Sequence, residues 1–76
     1  MVKIYGFESC GWCAKCKAYL QSKGVEYEFH DIELNPEDAE ACEKLTGDTA
    51  VPVITADDKN YVLGFDKAKI DELLGL

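Results

Sequence analysis

Four cysteines, Cys10, Cys13, Cys16 and Cys42, are the residues of this chain best suited to chemistry, and three of them fall close together. Cys10-Gly11-Trp12-Cys13 is a C-x-x-C pair, a spacing that serves thiol-disulfide exchange or metal binding. At a helix start, residues three apart carry Cβ atoms about 5 Å apart, and modest adjustment brings them to the roughly 3.8 Å of a disulfide. A bond between the two sulfurs can then close and reopen without refolding. A thiol at a helix N-terminus also faces unpaired N–H groups and the positive end of the dipole, which favour the thiolate. A fall of about 1.5 units from the ordinary value of about 8.5, roughly 2 kcal/mol, turns such a thiol into a substantially ionised nucleophile at neutral pH. The chemistry expected of the pair is attack by Cys10 on a target disulfide, a mixed disulfide, and its resolution by Cys13.

The same residues admit a second reading. Cys10, Cys13 and Cys16 form C-x-x-C-x-x-C, which overlaps the iron-sulfur pattern, so a metal or iron-sulfur protein using these three and Cys42 is the alternative. Helical spacing works against it, because cysteines three apart are rotated by about 60° around a helix and the fourth lies far down the chain. Cys16 and Cys42 are read instead as small buried side chains on apolar helix stripes, and no metal ligands are assigned. A disulfide scaffold is disfavoured, since two of the gaps are too short to staple distant segments. A structural adaptor with silent thiols is a third possibility, with nothing specific in its support.

Elements that would position the pair can be read on either side of it. Val2-Lys3-Ile4-Tyr5-Gly6-Phe7 is a short buried strand, and Ser9 is a candidate N-cap for the helix that follows. From Gly11 to Lys23 the residues Trp12, Cys13, Cys16, Tyr19 and Leu20 recur three and four apart, and Gly24 ends the helix. Val25 to Ile32 alternates as a second strand, parallel to the first because a helix joins them. Asn35-Pro36-Glu37-Asp38 opens a second helix, which runs to Leu45 on a stripe of Ala39, Cys42 and Leu45 before Gly47. Val51 to Thr55 and Tyr61 to Leu63 form a hairpin across Asp57-Asp58-Lys59-Asn60, and Asp66 caps a third helix through Leu74. The order is β-α-β-α-β-β-α, an α/β fold with a four-stranded mixed sheet flanked by three helices. With a C-x-x-C pair at the first strand-to-helix junction, this is the arrangement expected of a thioredoxin-like redox domain.

Composition bounds the rest. A chain of 76 residues is read as one domain over 1–76, and its 47% hydrophobic content suffices for a small core. Fifteen acidic against eight basic residues, a net charge of −7, argue against a nucleic-acid surface. The longest apolar stretch, Ala50 to Ala56, is too short to span a membrane, and Lys3 and Glu8 interrupt the start as a secretory signal. A cytoplasmic monomer is the expectation.

The segment Ile4 to Cys13, the later Lys23-Gly24-Val25, the Ala50-Val51-Pro52 stretch and Gly64-Phe65-Asp66 together resemble a glutaredoxin, over nearly the whole chain. Trp12 resembles the tyrosine of the Cys-Pro-Tyr-Cys motif, Gly11 stands in place of its proline, and Ala50 replaces the threonine of the Thr-Val-Pro motif. The resemblance implies a cis bond before Pro52 and a backbone at Val51 that pairs with a bound substrate. It implies a substrate groove bordered by Gly11, Trp12, Val51, Pro52, Gly64, Phe65 and Asp66, with Asp66 read equally as a helix cap. Phe7 stands where glutathione-using members carry a basic residue, and Leu63-Gly64 where they carry Gly-Gly. Gly64-Phe65 is instead similar to the Ser-Gly-Phe segment of NrdH-redoxins, which serve ribonucleotide reductase, although Asp66-Lys67 replaces their Arg-Pro. Disulfide-containing proteins, ribonucleotide reductase among them, are thus the implied substrates. Glutathione, as co-substrate, and thioredoxin reductase are both open as electron source, and no tightly bound cofactor is implied.

Overall fold

A β-branched and aromatic run opens the chain as β1 (Val2–Gly6), and the elements follow in the order α1 (Gly11–Ser22), β2 (Tyr27–Asp31), α2 (Pro36–Thr46), β3 (Val53–Thr55), β4 (Tyr61–Leu63) and α3 (Lys67–Leu74). The structure, a computed structural model, describes residues 1–76. Its sheet has the strand order β2-β1-β3-β4. Parallel pairing joins β1 to β2 from Val2 opposite Tyr27 to Gly6 opposite Asp31, as a helical crossover requires. The antiparallel pairs place Ile54 opposite Ile4 and Val62 opposite Ile54. This mixed sheet with three helices is the thioredoxin-like fold.

Side chains alternate across the pleat, and the core divides accordingly. Ile4, Ile54 and Val62 pack with Cys16 and Leu20 of α1 and Ile70 of α3. Their neighbours Tyr5 and Val53 face the other way and pack with Cys42 of α2, with Ala41 and Leu45 beside it. The helices therefore cover opposite faces, α1 and α3 on one and α2 on the other. No helix is long and apolar enough to cross a membrane.

Several boundaries differ from the sequence reading, each for a local reason. The first strand stops at Gly6, because the Phe7 carbonyl turns away to accept the Cys10 N–H at 3.1 Å. The second starts at Tyr27 instead of Val25, whose N–H still bonds the Leu20 carbonyl of α1 at 3.0 Å. It ends at Asp31, a buried carboxylate that accepts the N–H groups of Glu33 at 2.8 Å and Leu34 at 3.0 Å and so turns the chain. Strand β3 begins at Val53 instead of Val51, since Pro52 has no N–H to give a ladder. Asn35 precedes α2 without a side-chain capping bond, leaving that start to Pro36 and the acidic Glu37 and Asp38. Asp66 does cap α3, accepting the Lys69 N–H at 3.2 Å.

Candidate functional site

The chain turns into α1 at Cys10, not at Ser9. Cys10 has extended backbone angles, φ −81° and ψ 111°, and its Sγ accepts the Cys13 N–H at 3.1 Å, so the cysteine itself is the N-cap. Ser9 is exposed and makes no such bond. The cap thus places a sulfur where the unpaired amides of the first turn converge. The Cys13 sulfur lies 2.50 Å from that of Cys10, at disulfide distance, with the Cα atoms 5.2 Å apart. The two sulfurs are not equivalent. Cys10 is half-buried at the rim, Gly11 and Trp12 are exposed, and Cys13 is fully buried beneath them.

What seats Cys13 is Gly6, a residue that sequence reasoning placed in a strand and gave no further part. A Cβ at Gly6 would lie 2.5 Å from the Cys13 Sγ and 3.2 Å from Cε1 of Phe29. Only hydrogen fits there. A glycine inside a strand run is the signal that could have marked this close approach.

The remaining predicted site residues form a connected series. The Val51–Pro52 bond is cis, and Pro52 is buried. Its carbonyl accepts the Gly64 N–H at 2.8 Å, which ties the start of β3 to the end of β4. Gly64 has φ +89°, a left-handed angle that redirects the chain into Phe65. The Phe65 ring lies 6.3 Å from the ring of Trp12, between the cysteines in sequence, and 6.0 Å from Tyr19 in edge-on contact. Trp12 remains 57% exposed, so its outer face is free for a bound group. No hydrogen bond links Val51 or Asp66 to the cysteine pair, and the Asp66 carboxylate is occupied as the α3 cap.

The other two cysteines are placed differently. Burial pushes the Cys16 thiol up to about 11 and raises that of Cys42, so both stay protonated at neutral pH. Cys16 and Cys42 sit in cores on opposite faces of the sheet, which keeps the four sulfurs from gathering. No three His, Cys, Asp or Glu side chains stand together where they could hold one metal ion. His30 bonds Asp38 of α2 through Nδ1 at 2.9 Å and Glu28 through Nε2 at 3.1 Å, a hydrogen-bonded histidine apart from the pair.

A cysteine pair capping a helix after the first strand, with a cis proline ahead of β3, narrows the family, and the sequence comparison decides it. The glutaredoxin family model matches residues 2–62. The chain belongs to the glutaredoxin family. An uncharacterized glutaredoxin-like 8.6 kDa protein in the rubredoxin operon of Clostridium pasteurianum is 38% identical over 74 residues, 97% of each chain. Glutaredoxin 3 of Escherichia coli K12 is 41% identical over 56 residues, covering 74% of this chain and 68% of that protein. Among solved structures, the glutaredoxin Grx-1 from Archaeoglobus fulgidus superposes with a TM-score of 0.84 at 29% identity, over 96% of this chain and 84% of that one. As a glutaredoxin-family redox protein, the chain carries its cysteine pair at the strand-to-helix junction described above.

Proposed function

We propose that this protein is a dithiol-disulfide oxidoreductase that reduces protein disulfides, or mixed disulfides with glutathione, through Cys10-Gly11-Trp12-Cys13. The observation that carries the reading is the capping bond. A Cys10 sulfur accepting the Cys13 N–H at 3.1 Å is held among α1 amides that favour its anion, with a buried second sulfur at bonding distance. In the reduced protein the Cys10 thiolate attacks one sulfur of the target disulfide. That S–S bond breaks, a target thiolate leaves, and a mixed disulfide forms. The Cys13 thiol then gives up its proton and attacks the Cys10 sulfur, releasing the second target thiol. The target gains two electrons, one proton from Cys13 and one that its first thiolate takes from water, and the protein is left with a Cys10–Cys13 disulfide.

Gly11 and Trp12 border the approach to the outer sulfur, Val51 offers its backbone to an extended segment ahead of the cis Pro52, and Gly64, Phe65 and Asp66 continue the groove from there. An external thiol resets the pair, with glutathione and a thioredoxin reductase as the two candidates, and the steps draw on no tightly bound cofactor. Ribonucleotide reductase belongs among the candidate disulfide substrates, and the cytoplasm is the compartment where this chemistry would run as a reduction. Disulfide reduction coupled to NADPH, through glutathione and its reductase or through thioredoxin reductase, tests the reading. Cys10→Ser should abolish turnover, and Cys13→Ser should trap the mixed disulfide or retain monothiol activity alone. Full activity in Cys10→Ser refutes the assignment of the nucleophile.

A further inference from the structure

The fifteen acidic residues behind the net charge of −7 are spread unevenly. From Ser9 to Val25 there is none, while Lys15, Lys17 and Lys23 all fall there. Trp12, Lys15, Tyr19 and Lys23 recur at steps of three and four, so α1 and its C-cap residue Lys23 carry them along one stripe. The start of α3 lies alongside, and Lys15, Ala18, Tyr19, Phe65 and Lys67 line a shallow cavity between the two helices. The Lys15 ammonium stands 4.5 Å from the Trp12 ring centroid, Lys23 5.6 Å and Lys67 5.7 Å from that of Tyr19. None of these three lysines has a carboxylate partner, whereas Lys3 pairs with Asp58 and Lys44 with Glu40. On α3 the carboxylate of Asp71 is already engaged by the Tyr19 hydroxyl at 2.5 Å, and that of Asp66 by the Lys69 N–H.

We propose that this lysine-aromatic face docks an acidic segment of the disulfide-bearing partner protein, and so steers the partner's bond toward Cys10. The inference rests on the redox reading above and specifies the substrate class of that site. Lys15 against Trp12, and Lys23 and Lys67 against Tyr19, form a mainly positive strip on a protein that elsewhere repels anions. The strip starts beside the cysteine pair and runs away from it along α1, with three ammonium groups to the one carboxylate of Asp71 at Tyr19. Such a strip accelerates encounter with a partner of opposite charge and fixes its orientation. A nucleic acid fits poorly, because its long phosphate backbone would also meet the acidic remainder of the surface. The stripe from Trp12 to Lys23 is about 16 Å long at 1.5 Å per residue. An extended tripeptide such as glutathione reaches only about 10 Å, so the length suits a protein segment.

The test uses the pre-reduced full chain in stoichiometric reactions with cyclic disulfide peptides that differ only in a short flank of Glu, Gln or Lys. The Glu peptide should be reduced about 10-fold faster than the Gln peptide at low salt, and the Lys peptide slowest. The spread should collapse at about 0.5 M NaCl, where charges are screened within a few ångströms. The variant Lys15→Gln/Lys23→Gln/Lys67→Gln should lose the preference and keep its rates on the Gln peptide and on the uncharged small disulfide bis(2-hydroxyethyl) disulfide. Equal rates for the three peptides at low salt, a preference that survives the triple variant, or an equal loss on bis(2-hydroxyethyl) disulfide would each overturn the proposal. Titrating a cysteine-free Glu-flanked peptide into isotope-labelled Cys10→Ser protein separates docking from chemistry. Amide shifts at Lys15, Tyr19 and Phe65 support the proposal, and their absence overturns it. Should the wild-type chain reduce no peptide at all, the redox reading fails, and this titration still decides the docking.

Discussion

Two pairs of cysteines occupy this small protein, and the same side chain has been given opposite physical settings. Cys10 and Cys13 stand where a helix begins, one sulfur at the rim and accepting an amide hydrogen, the other directly beneath it. Cys16 and Cys42 lie inside the two cores, where burial holds their thiols neutral and each faces a different side of the sheet. Between Cys13 and Cys16 the separation is a single helical turn. On the proposed function, reactivity is a property of position in the fold, set by exposed amides in one case and by apolar packing in the other.

The largest effect that could break this contrast is exchange of function between the pairs. Cys10→Ser should lower disulfide reduction by about 1,000-fold or more, whereas Cys16→Ala and Cys42→Ala should stay within about twofold of the parent rate. Either core variant losing activity while still folded would dissolve the distinction. Core truncation should appear instead as a loss of about 1 to 2 kcal/mol in denaturant titrations, because a small buried atom is removed.

A sharper probe is Gly6→Ala, which leaves all four sulfurs in place and disturbs only the seat of one. Its Cβ would meet the Cys13 sulfur at 2.5 Å, so Cys13 or β1 must shift. The expected cost is about 1 to 3 kcal/mol of stability, with slower resolution and an accumulating mixed disulfide visible by mass spectrometry. Wild-type resolution rates in this variant would mean that Cys13 is less tightly held than the contrast requires.

Alkylation measures the contrast itself. In the reduced protein Cys10 should label first, with a midpoint below the free-thiol value of about 8.5. Cys16, pushed up to about 11 by burial, and Cys42, raised by the same cause, should stay unlabelled until the protein unfolds. Labelling Cys16 as readily as Cys10 at neutral pH would erase the difference in environment.

The smallest effect bounds the acid range in which these experiments hold. Asp57, in the β3–β4 turn, is held down to about 2 by the backbone N–H and side chain of Asn60 and the N–H of Lys59. A carboxyl lowered by folding contributes stability that is fully present above about pH 4 and is lost as the pH falls from there toward 2. Asp57→Asn should flatten this acid limb of the melting profile and leave labelling of Cys10 unchanged.

Much of this contrast could be read before any coordinates. Alternation and helical spacing gave the seven elements in order, because each buries one face and the residues doing so recur at the element's own period. Asp66 was legible as a cap because its effect is local, and Cys16 as core because it continues the stripe of Cys13 and Leu20. The family resemblance carried the cis bond at Pro52, which no local pattern distinguishes. Harder to see were facts that depend on where the chain turns or on distance through space. Ser9 is the capping type that residue preferences select, and only the backbone angles at the junction show that Cys10 takes the place. The approach of Gly6 to Cys13 depends on how α1 settles on β1, and the separation of Cys16 from Cys42 on which face each helix covers. Neither relation leaves a local mark.

On the proposed mechanism the helix cap is also the attacking sulfur. The amide hydrogen of Cys13 is offered to an atom that passes through three covalent states: anion, link to a partner, and internal bridge. Thermodynamic closure then demands that any preference of this hydrogen for one state reappear, with equal magnitude, as a difference in melting between the corresponding forms. Unfolding free energies of the reduced and bridged proteins for that reason also measure how much more strongly the folded protein donates or retains electrons than its unfolded chain does, with a calorimeter instead of an electrode.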